Sequence, residues 1–317
     1  MPVRPAEIVV LSGGIGGAKL VQGFAETVDP GTLWVFVNTG DDFDHLGLRV
    51  CPDLDTTLYT LSGLADPERG WGRRDETWAF MGALKGLGGP DWFRLGDRDL
   101  ALNVLRSDAL RSGRSLSEFV DTIRCHLAID ARVLPMSDDD VRTLVDTQED
   151  RLSFQEYFVG RQCRPVVKRI VFDGAASARP LPELLEKLAS PQTRAVIIAP
   201  SNPYLSIDPI LALPGVPAAL RACPAPVIAV SPIVGGDAVK GPTAKIMREL
   251  SIPVSAAAVA AHYGDWLDAF VVDRSDADGC EGIGVPVRVC NTLMHTLEVK
   301  RQLARELLAF ADELGRM

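Results

Sequence analysis

The stretch IVVLSGGIGG, residues 8–17, predicts how the fold begins. Residues 8–11 form a short apolar run rich in β-branched side chains, which is typical of a buried parallel strand. Glycines then break this run, and residues 18–25 resume with helical spacing. Strand, turn and helix in this order place a helix N-terminus at the carboxyl edge of a sheet. Unpaired N–H groups and the helix dipole there favour a bound anion, usually a phosphate.

Residues 12–17, which we call the glycine loop, match no complete phosphate-loop pattern. A Walker loop requires GxxxxGK[ST], whereas Ala18 precedes Lys19 and Leu20 follows it. The dinucleotide fingerprint GxGxxG is incomplete as well. The glycine loop therefore predicts a phosphate or nucleotide site of a Rossmann-like type. The alternative is a tight strand-to-helix turn without a ligand.

The composition of the 317-residue chain, 47% hydrophobic and 24% charged, is that of a soluble globular protein. A formal net charge of −9 argues against general affinity for nucleic acid, which requires a basic surface. The six cysteines include no CxxC pair and indicate reduced thiols rather than disulfides or a zinc site. The first strand follows within a few residues of Met1, and no apolar run is long enough for a membrane span. We therefore expect a cytoplasmic protein.

Strands that alternate with helices predict an α/β fold, a Rossmann-like, doubly wound and mainly parallel sheet, over a single domain at 1–317. Residues 68–165 are mainly helical by pattern, and we expect an inserted, mostly helical subdomain that forms one side of the active-site cleft. The sheet is expected to restart at 166–172, and 254–259 is a further strand candidate. Helices are predicted at 182–189 and 297–314.

Carboxylates gather after the second predicted strand and at the start of the next helix: Asp41, Asp42, Asp53 and Asp55. Carboxylates this close repel one another unless a cation lies between them. Hard cations such as Mg²⁺ use one or two carboxylates and complete their shell with water and phosphate oxygens. The group therefore predicts a metal or substrate site. The alternative for each aspartate is helix capping or turn stabilisation.

Other polar side chains follow predicted strands or precede a predicted helix. Asn202 has the donor and acceptor groups to read a base edge, although asparagine before proline also favours a turn. Residues 231–241 form a second glycine loop. Arg94, beside Trp92, is predicted either to line the site or to be a solvated charge near a helix start. Among the four histidines, only His45 is expected near the chemistry, and a histidine metal site is not expected.

Seven segments occur in the order found in the phospholactate transferases of deazaflavin coenzyme F-420 biosynthesis, and the chain resembles that family from residue 8 to about 247. The segments are GGIGGAKL (13–20), NTGDDFDHLGL (38–48), PDLDTTLYTLSGL (52–64), GWGRRDET (70–77), WFRLGDRDLA (92–101), SNPYLSI (201–207) and SPIVGGDAVKGPTAKIM (231–247). The resemblance implies an Mg²⁺-dependent homodimeric transferase. It would move a phospholactyl-type group (phospholactate, phosphoenolpyruvate or phosphoglycerate) from a guanosine diphosphate (GDP)-activated donor to the hydroxyl of the deazaflavin FO, releasing GMP.

The resemblance also implies roles for single residues. Asp55 and Arg94 would contact FO, and Asp42 with Asp53 would hold the metal. Asp42 or Asp55 would be the catalytic group that accepts the hydroxyl proton. The nucleotide and its phosphates would contact Gly13, Gly14, Gly16, Gly17, Lys19, Asn202, Ser231, Gly235 and Gly236. Asp55→Asn is expected to cut turnover at least about tenfold with little loss of folding stability.

A nucleotide-sugar-binding regulatory protein of the gluconeogenesis-factor type is the competing interpretation. That family is similar in fold and also opens with a glycine-rich turn, but it does not share the PDLDT and WFRLGD segments found here. A plain Rossmann dehydrogenase would need a complete GxGxxG fingerprint. No residue distinguishes the three candidate donor acids.

Overall fold

The computed structural model describes residues 6–239 and 241–315. The described residues do not include residues 1–5, on which the prediction of a cytoplasmic protein partly rests. They also do not include Lys240 of the second glycine loop. The strands are Glu7–Ser12 (β1), Leu33–Val37 (β2), Phe43–His45 (β3), Leu48–Val50 (β4), Arg132–Pro135 (β5), Arg142–Thr147 (β6), Arg151–Ser153 (β7), Val167–Asp173 (β8), Thr193–Ile198 (β9), Val227–Val230 (β10), Ile233–Val234 (β11), Asp237–Ala238 (β12), Ala269–Asp273 (β13) and Val287–Cys290 (β14). The α-helices are Gly14–Ala25 (α1), Pro52–Leu61 (α2), Ala79–Gly86 (α3), Asp97–Arg111 (α4), Leu116–His126 (α5), Pro182–Ala189 (α6), Asp208–Leu211 (α7), Val216–Arg221 (α8), Thr243–Glu249 (α9), Ala256–Tyr263 (α10) and Leu297–Leu314 (α11).

The central sheet has seven strands in the order β14-β13-β10-β9-β1-β2-β5. Each neighbouring pair in this sheet is parallel. The chain starts in the interior at β1 and adds strands on both sides, β2 on one and β9 on the other. The predicted α/β class with a doubly wound parallel sheet is therefore confirmed. In such sheets ligands bind beyond the carboxyl ends of the strands, where the winding direction changes.

Helices bury both faces of the central sheet. Ile8 and Val10 of β1 face the layer of α1, α2, α5 and α11, whereas Val9 and Leu11 face the layer of α6, α8, α9 and α10. This two-sided burial explains why β1 is a continuous apolar run rather than an alternating one. Over residues 6–239 and 241–315, no helix combines the length and the apolar character that crossing a membrane requires.

Two predicted strands of the central sheet are wrong. Residues 166–172 do not restart that sheet, because β8 pairs antiparallel with β6 in a separate sheet of order β7-β6-β8. Its adjacent Lys168 and Arg169 point to opposite faces and are both exposed, which does not suit the interior of a parallel sheet buried on both faces. The candidate strand 254–259 lies mostly in α10, where Ser255 caps the helix by accepting a hydrogen bond from the N–H of Ala258. Alanine-rich sequence favours this helix.

The stretch 68–165 is less uniform than the mainly helical insertion that the sequence predicts. It contains α3, α4 and α5, but β5 is an edge strand of the central sheet and pairs with β2. Two strands of the separate sheet, β6 and β7, also fall within it. The division of 1–317 into one domain with this insertion stays a prediction.

Candidate active site

A cleft of about 660 Å³ lies at the carboxyl edge of the central sheet. Its lining comes from the glycine loop, Asp41, the start of α2, residues 92–94, and the loops after β9, β10 and β14. The glycine loop and the loop after β9 follow the neighbouring strands β1 and β9, where the winding changes direction. The cleft therefore occupies the position expected for a ligand in this fold.

Hydrogen bonds and close packing fix the glycine loop. The Gly13 N–H donates to Ser201 Oγ at 3.1 Å, and the Ser201 hydroxyl donates to the Gly13 carbonyl at 2.7 Å. A Cβ added at Gly16 would lie 2.6 Å from the carbonyl oxygen of Pro200, and one at Gly17 would lie 2.3 Å from Ser12 Oγ. These glycines are therefore needed for packing, as the alternative interpretation of a tight turn expects.

The N-terminus of α1 nevertheless opens onto the cleft. Gly14 has a φ of +63°, which favours glycine, and its N–H donates to the Asp53 carboxylate. In the first turn of a helix the N–H groups have no intrahelical partner, so those of Ile15 and Gly16 remain for an anion. Lys19 lines the same cleft one turn further along. Glycine loop, helix dipole and lysine together suit a phosphate group.

Asp41 and Asp53 form a buried pair of carboxylates on the cleft. The side-chain amide of Asn38, at the end of β2, donates to Asp41 Oδ1 and, at 3.0 Å, to Asp53 Oδ2. Burial raises the pKa of Asp53 to about 6. Burial, then repulsion by Asp53 and Asp42, raises the pKa of Asp41 well above its ordinary value. A cation between the two oxygens would relieve this repulsion.

Asp42 lies elsewhere. It is buried outside the cleft lining, its carboxylate accepts a hydrogen bond from the Cys51 thiol, and burial raises its pKa to about 8. Among the described residues, its Oδ1 has no hydrogen-bond partner. The structure thus brings Asp41, and not the predicted Asp42, beside Asp53 at the cleft. The catalytic and metal-binding roles assigned to Asp42 stay predictions, and this placement favours Asp41.

Asp55 lines the cleft and is held from behind by a buried arginine that the sequence analysis missed. Arg106, fully buried on α4, contacts both carboxylate oxygens of Asp55, Oδ2 at 3.1 Å, and donates to Asn103 Oδ1 at 2.9 Å. Burial raises the pKa of the Asp55 carboxyl, and the Arg106 charge opposes the rise. A signal was present, because Arg106 lies at helical spacing between the buried Leu102 and Ala109.

Aromatic side chains form one wall of the cleft. Trp92 and Phe93 line it, and Arg94 lies with its guanidinium carbon 4.2 Å from the centre of the Trp78 ring. His45 packs edge-on against Trp92, 5.3 Å between ring centres. It is buried outside the cleft lining, and its Nε2 has no partner in the described part of the chain. The wall suits a flat ring system, and His45 supports it from behind. His295, and not the predicted His45, is the histidine in the described cleft lining.

The side chain of Asn202 has the predicted turn role, and it also lines the cleft. Its Oδ1 accepts hydrogen bonds from the N–H groups of Tyr204 at 3.0 Å and Leu205 at 3.2 Å, which stabilises the turn. Its Nδ2 finds no partner among residues 6–239 and 241–315, and Asn202 lines the cleft. The amide nitrogen is unpartnered but fully buried, so its contact with a nucleotide stays a prediction.

The second glycine loop contains the β11–β12 hairpin, and the N–H groups of its Gly235 and Gly236 are already engaged. Gly235 N–H donates to Asp276 Oδ2 at 2.8 Å, and Gly236 N–H donates to Asp276 Oδ1 at 3.0 Å. Ser231 lines the cleft, but the two glycines lie outside its lining in the described structure. The predicted phosphate contacts of Gly235 and Gly236 therefore have no support from this placement, because a carboxylate occupies their amides.

Metal binding would depend on few protein ligands. Within the described ranges, no three histidine, cysteine or carboxylate side chains are grouped so that they could hold a metal ion. Asp41 and Asp53 supply two hard oxygen donors, which is the number that Mg²⁺ often takes from a protein when phosphates complete its shell. The donor set fits Mg²⁺ bound together with a phosphate ligand.

Comparison with known proteins places the chain in a family. A model of the family described as 2-phospho-L-lactate transferase CofD matches residues 8–281. A phosphoenolpyruvate transferase from Kitasatospora aureofaciens is 42% identical over 317 residues, 97% of this chain and 98% of that protein. A 2-phospho-L-lactate transferase from Methanosarcina barkeri is 37% identical over 310 residues, 97% of this chain and 99% of that protein.

A solved structure shares the fold. A UPF0052-family protein from Bacillus halodurans aligns with a TM-score of 0.61 and 15% identity, over 96% of this chain and 99% of that one. Identity this low shows likeness of fold alone. The family match over most of the sequence, together with relatives of about the same length, is decisive. The chain belongs to the 2-phospho-L-lactate transferase CofD family.

Proposed function

We propose that this protein transfers a phosphoenolpyruvyl or phospholactyl group from a GDP-activated donor to the deazaflavin FO, with release of GMP, in coenzyme F-420 biosynthesis. Membership of the family and the names of its relatives support transfer of such a group. The observation that carries the proposal is the cleft itself. A helix N-terminus, a pair of carboxylates and an aromatic wall line one cavity.

The nucleotide side of the cleft is assigned to the switch between β1 and β9. The N–H groups of Ile15 and Gly16, with the ammonium of Lys19, would receive the diphosphate. The unpartnered Nδ2 of Asn202 would donate to the guanine or ribose. Gly13 and Gly17 would act through packing of the loop rather than through contact with phosphate.

The acceptor side is assigned to the aromatic wall. The flat deazaflavin ring would lie against Trp92 and Phe93, and Arg94 would face it from the same segment. Asp55, fixed by Arg106, would accept a hydrogen bond from the reacting hydroxyl. A carboxylate that a buried guanidinium holds in place is suited to orienting this group.

Mg²⁺ would be held by Asp41 and Asp53. When bound, it would supply positive charge that neutralises the phosphates during transfer. The hydroxyl oxygen of FO would attack the phosphorus bearing the three-carbon acid, the bond from this phosphorus to the GMP oxygen would break, and the hydroxyl proton would pass through Asp55 to solvent. The protein contributes mainly position and electrostatic stabilisation, as in other phosphoryl transfers.

Phosphoenolpyruvate is the donor acid that we test first. The relatives named phosphoenolpyruvate transferase reach 42% identity, whereas those named 2-phospho-L-lactate transferase reach 38%. The difference is small, so the assay includes both acids and phosphoglycerate.

The test incubates the purified protein with FO, Mg²⁺ and each guanosine-diphosphate-activated acid in turn, and analyses products by mass spectrometry. A product with the mass of FO joined to one phosphorylated acid supports the proposal, and a chelator should abolish its formation. If FO is recovered unchanged with all three donors, the proposal is wrong. Binding of a nucleotide sugar without any conversion of FO would instead favour the regulatory protein considered above.

A further inference from the structure

A further, partly buried carboxylate faces the acceptor side of the cleft. Asp99 lies in the first turn of α4 and lines the cleft together with Tyr59. The phenol of Tyr59 donates a hydrogen bond to Asp99 Oδ1 at 2.7 Å. The second oxygen, Oδ2, accepts no hydrogen bond from the described residues, and it is not among their fully buried unpartnered atoms. This oxygen therefore has room for a group from the cleft.

The backbone around Asp99 is fixed from both sides. Its N–H donates to Glu76 Oε1 at 2.8 Å, while Glu76 Oε2 accepts from the N–H of Arg98 at 2.7 Å. The Asn103 side chain donates to the Asp99 carbonyl at 3.0 Å. These contacts come from a loop and from the next helical turn, so they set the direction of the Asp99 side chain.

Neighbouring Asp97 shows how an ordinary structural aspartate behaves in the same turn. Its carboxylate accepts hydrogen bonds from the hydroxyl of Thr77 and from the N–H groups of Ala79 and Phe80, the latter two at 3.0 Å. Both carboxylate oxygens of Asp97 thus accept hydrogen bonds, which stabilise the start of α3. Only one oxygen of Asp99 accepts a hydrogen bond from the described residues, and its donor is Tyr59.

Charges of both signs surround Asp99. Asp55 and Tyr59 face it from α2, Arg106 from α4 and Glu76 from the preceding loop. Burial, then repulsion by Asp55, raises the pKa of Asp99 to about 7. Its ionisation would change near neutral pH.

We propose that Asp99 is a substrate-binding residue whose Oδ2 accepts a hydrogen bond from an O–H or N–H group of the deazaflavin acceptor. The phosphate and carboxylate groups of the donor substrate are excluded as its partners, because a carboxylate repels them. The deazaflavin ring with its hydroxylated side chain has the hydrogen-bond donors that a carboxylate requires. Tyr59 is the positioning residue that holds the carboxylate. This inference rests on the proposed function.

Isothermal titration calorimetry with FO tests the assignment without turnover. Asp99→Asn should raise the Kd for FO about tenfold or more at pH 8, because a hydrogen bond to a charged acceptor becomes one to a neutral amide. The ratio of the two Kd values should fall towards one at pH 5.5, where the wild-type carboxyl is also neutral, and the ratio cancels any titration of FO itself. Asp108→Asn is the matched control, since Asp108 is exposed on the same helix.

An unchanged Kd in the folded Asp99→Asn variant, or a ratio that does not vary with pH, would overturn the assignment. If that variant does not fold, Tyr59→Phe carries the test, because loss of the phenol should move the pH midpoint of FO binding upward. An unmoved midpoint then refutes it. Failure of the proposed function is distinguishable, since wild-type protein and Asp108→Asn would then also fail to bind and convert FO.

Discussion

Replacing Arg106 with methionine tests whether the centre of this site is held by charge. The guanidinium is fully buried and contacts Asp55, Asn103 Oδ1 at 2.9 Å and the carbonyl of Arg49 at 3.3 Å. Methionine fills much of the volume but leaves the Asp55 carboxylate buried without its counterion. Removing one partner of a buried pair costs about 3–5 kcal/mol. The total free energy of unfolding of most domains is only about 5–15 kcal/mol, so this loss would be a large fraction of it.

Urea unfolding followed by circular dichroism measures this loss. The double variant Asp55→Asn/Arg106→Met should lose about 2 kcal/mol less free energy of unfolding than the sum of the losses in the two single variants, because it contains no buried charge without a counterion. Arg305→Met, which breaks an exposed pair with Glu298, is the control and should change stability by about 1 kcal/mol or less. A loss below about 1 kcal/mol for Arg106→Met, or additive single changes, would show that Asp55 does not depend on Arg106 as its counterion.

Further predictions concern packing, pH and turnover. Gly16→Ala should lower the free energy of unfolding in urea by about 1–3 kcal/mol, because the added Cβ would lie 2.6 Å from the carbonyl oxygen of Pro200. Gly82→Ala in α3 is the control, since its Cβ would meet nothing within 4 Å and should not destabilise the protein. Equal effects of the two changes would contradict the packing argument. Hydrogen bonds from the arginines of β7 and β8 lower the pKa of Asp146 from 3.8 to about 2, so its contribution is present above 3.8 and is lost as pH falls towards 2. Urea titrations across this range should show a shallower acid loss in Asp146→Asn, and identical profiles would contradict the assignment. Asp55→Asn should lower kcat at least about tenfold, and wild-type turnover would contradict its role. In contrast to the expectation from sequence, this variant should also lose stability, because Arg106 loses its buried counterion.

Much of the fold was readable from local pattern. The apolar run of β1 predicts a strand that is buried on both faces, and the helices at 182–189 and 297–314 are confirmed with the predicted bounds. β8 was misassigned because a single short apolar run does not reveal which sheet it joins. Its adjacent charged residues Lys168 and Arg169 were the overlooked signal.

The site was less accessible to sequence reasoning, because adjacent residues can face opposite environments. Asp41 and Asp42 are adjacent residues of the same type, yet only Asp41 lines the cleft beside Asp53. The amides of Gly235 and Gly236 look available in sequence, and the carboxylate that engages them comes from 40 residues later. Such pairings are set by tertiary contacts, which no local pattern encodes.

Quantifying both products of a single reaction is the decisive test of the proposed transfer. With FO, Mg²⁺ and a guanosine-diphosphate-activated three-carbon acid, we expect one GMP released for each FO converted to its phosphodiester, quantified by chromatography with mass detection. GMP release without modified FO, or modified FO without GMP, would contradict it.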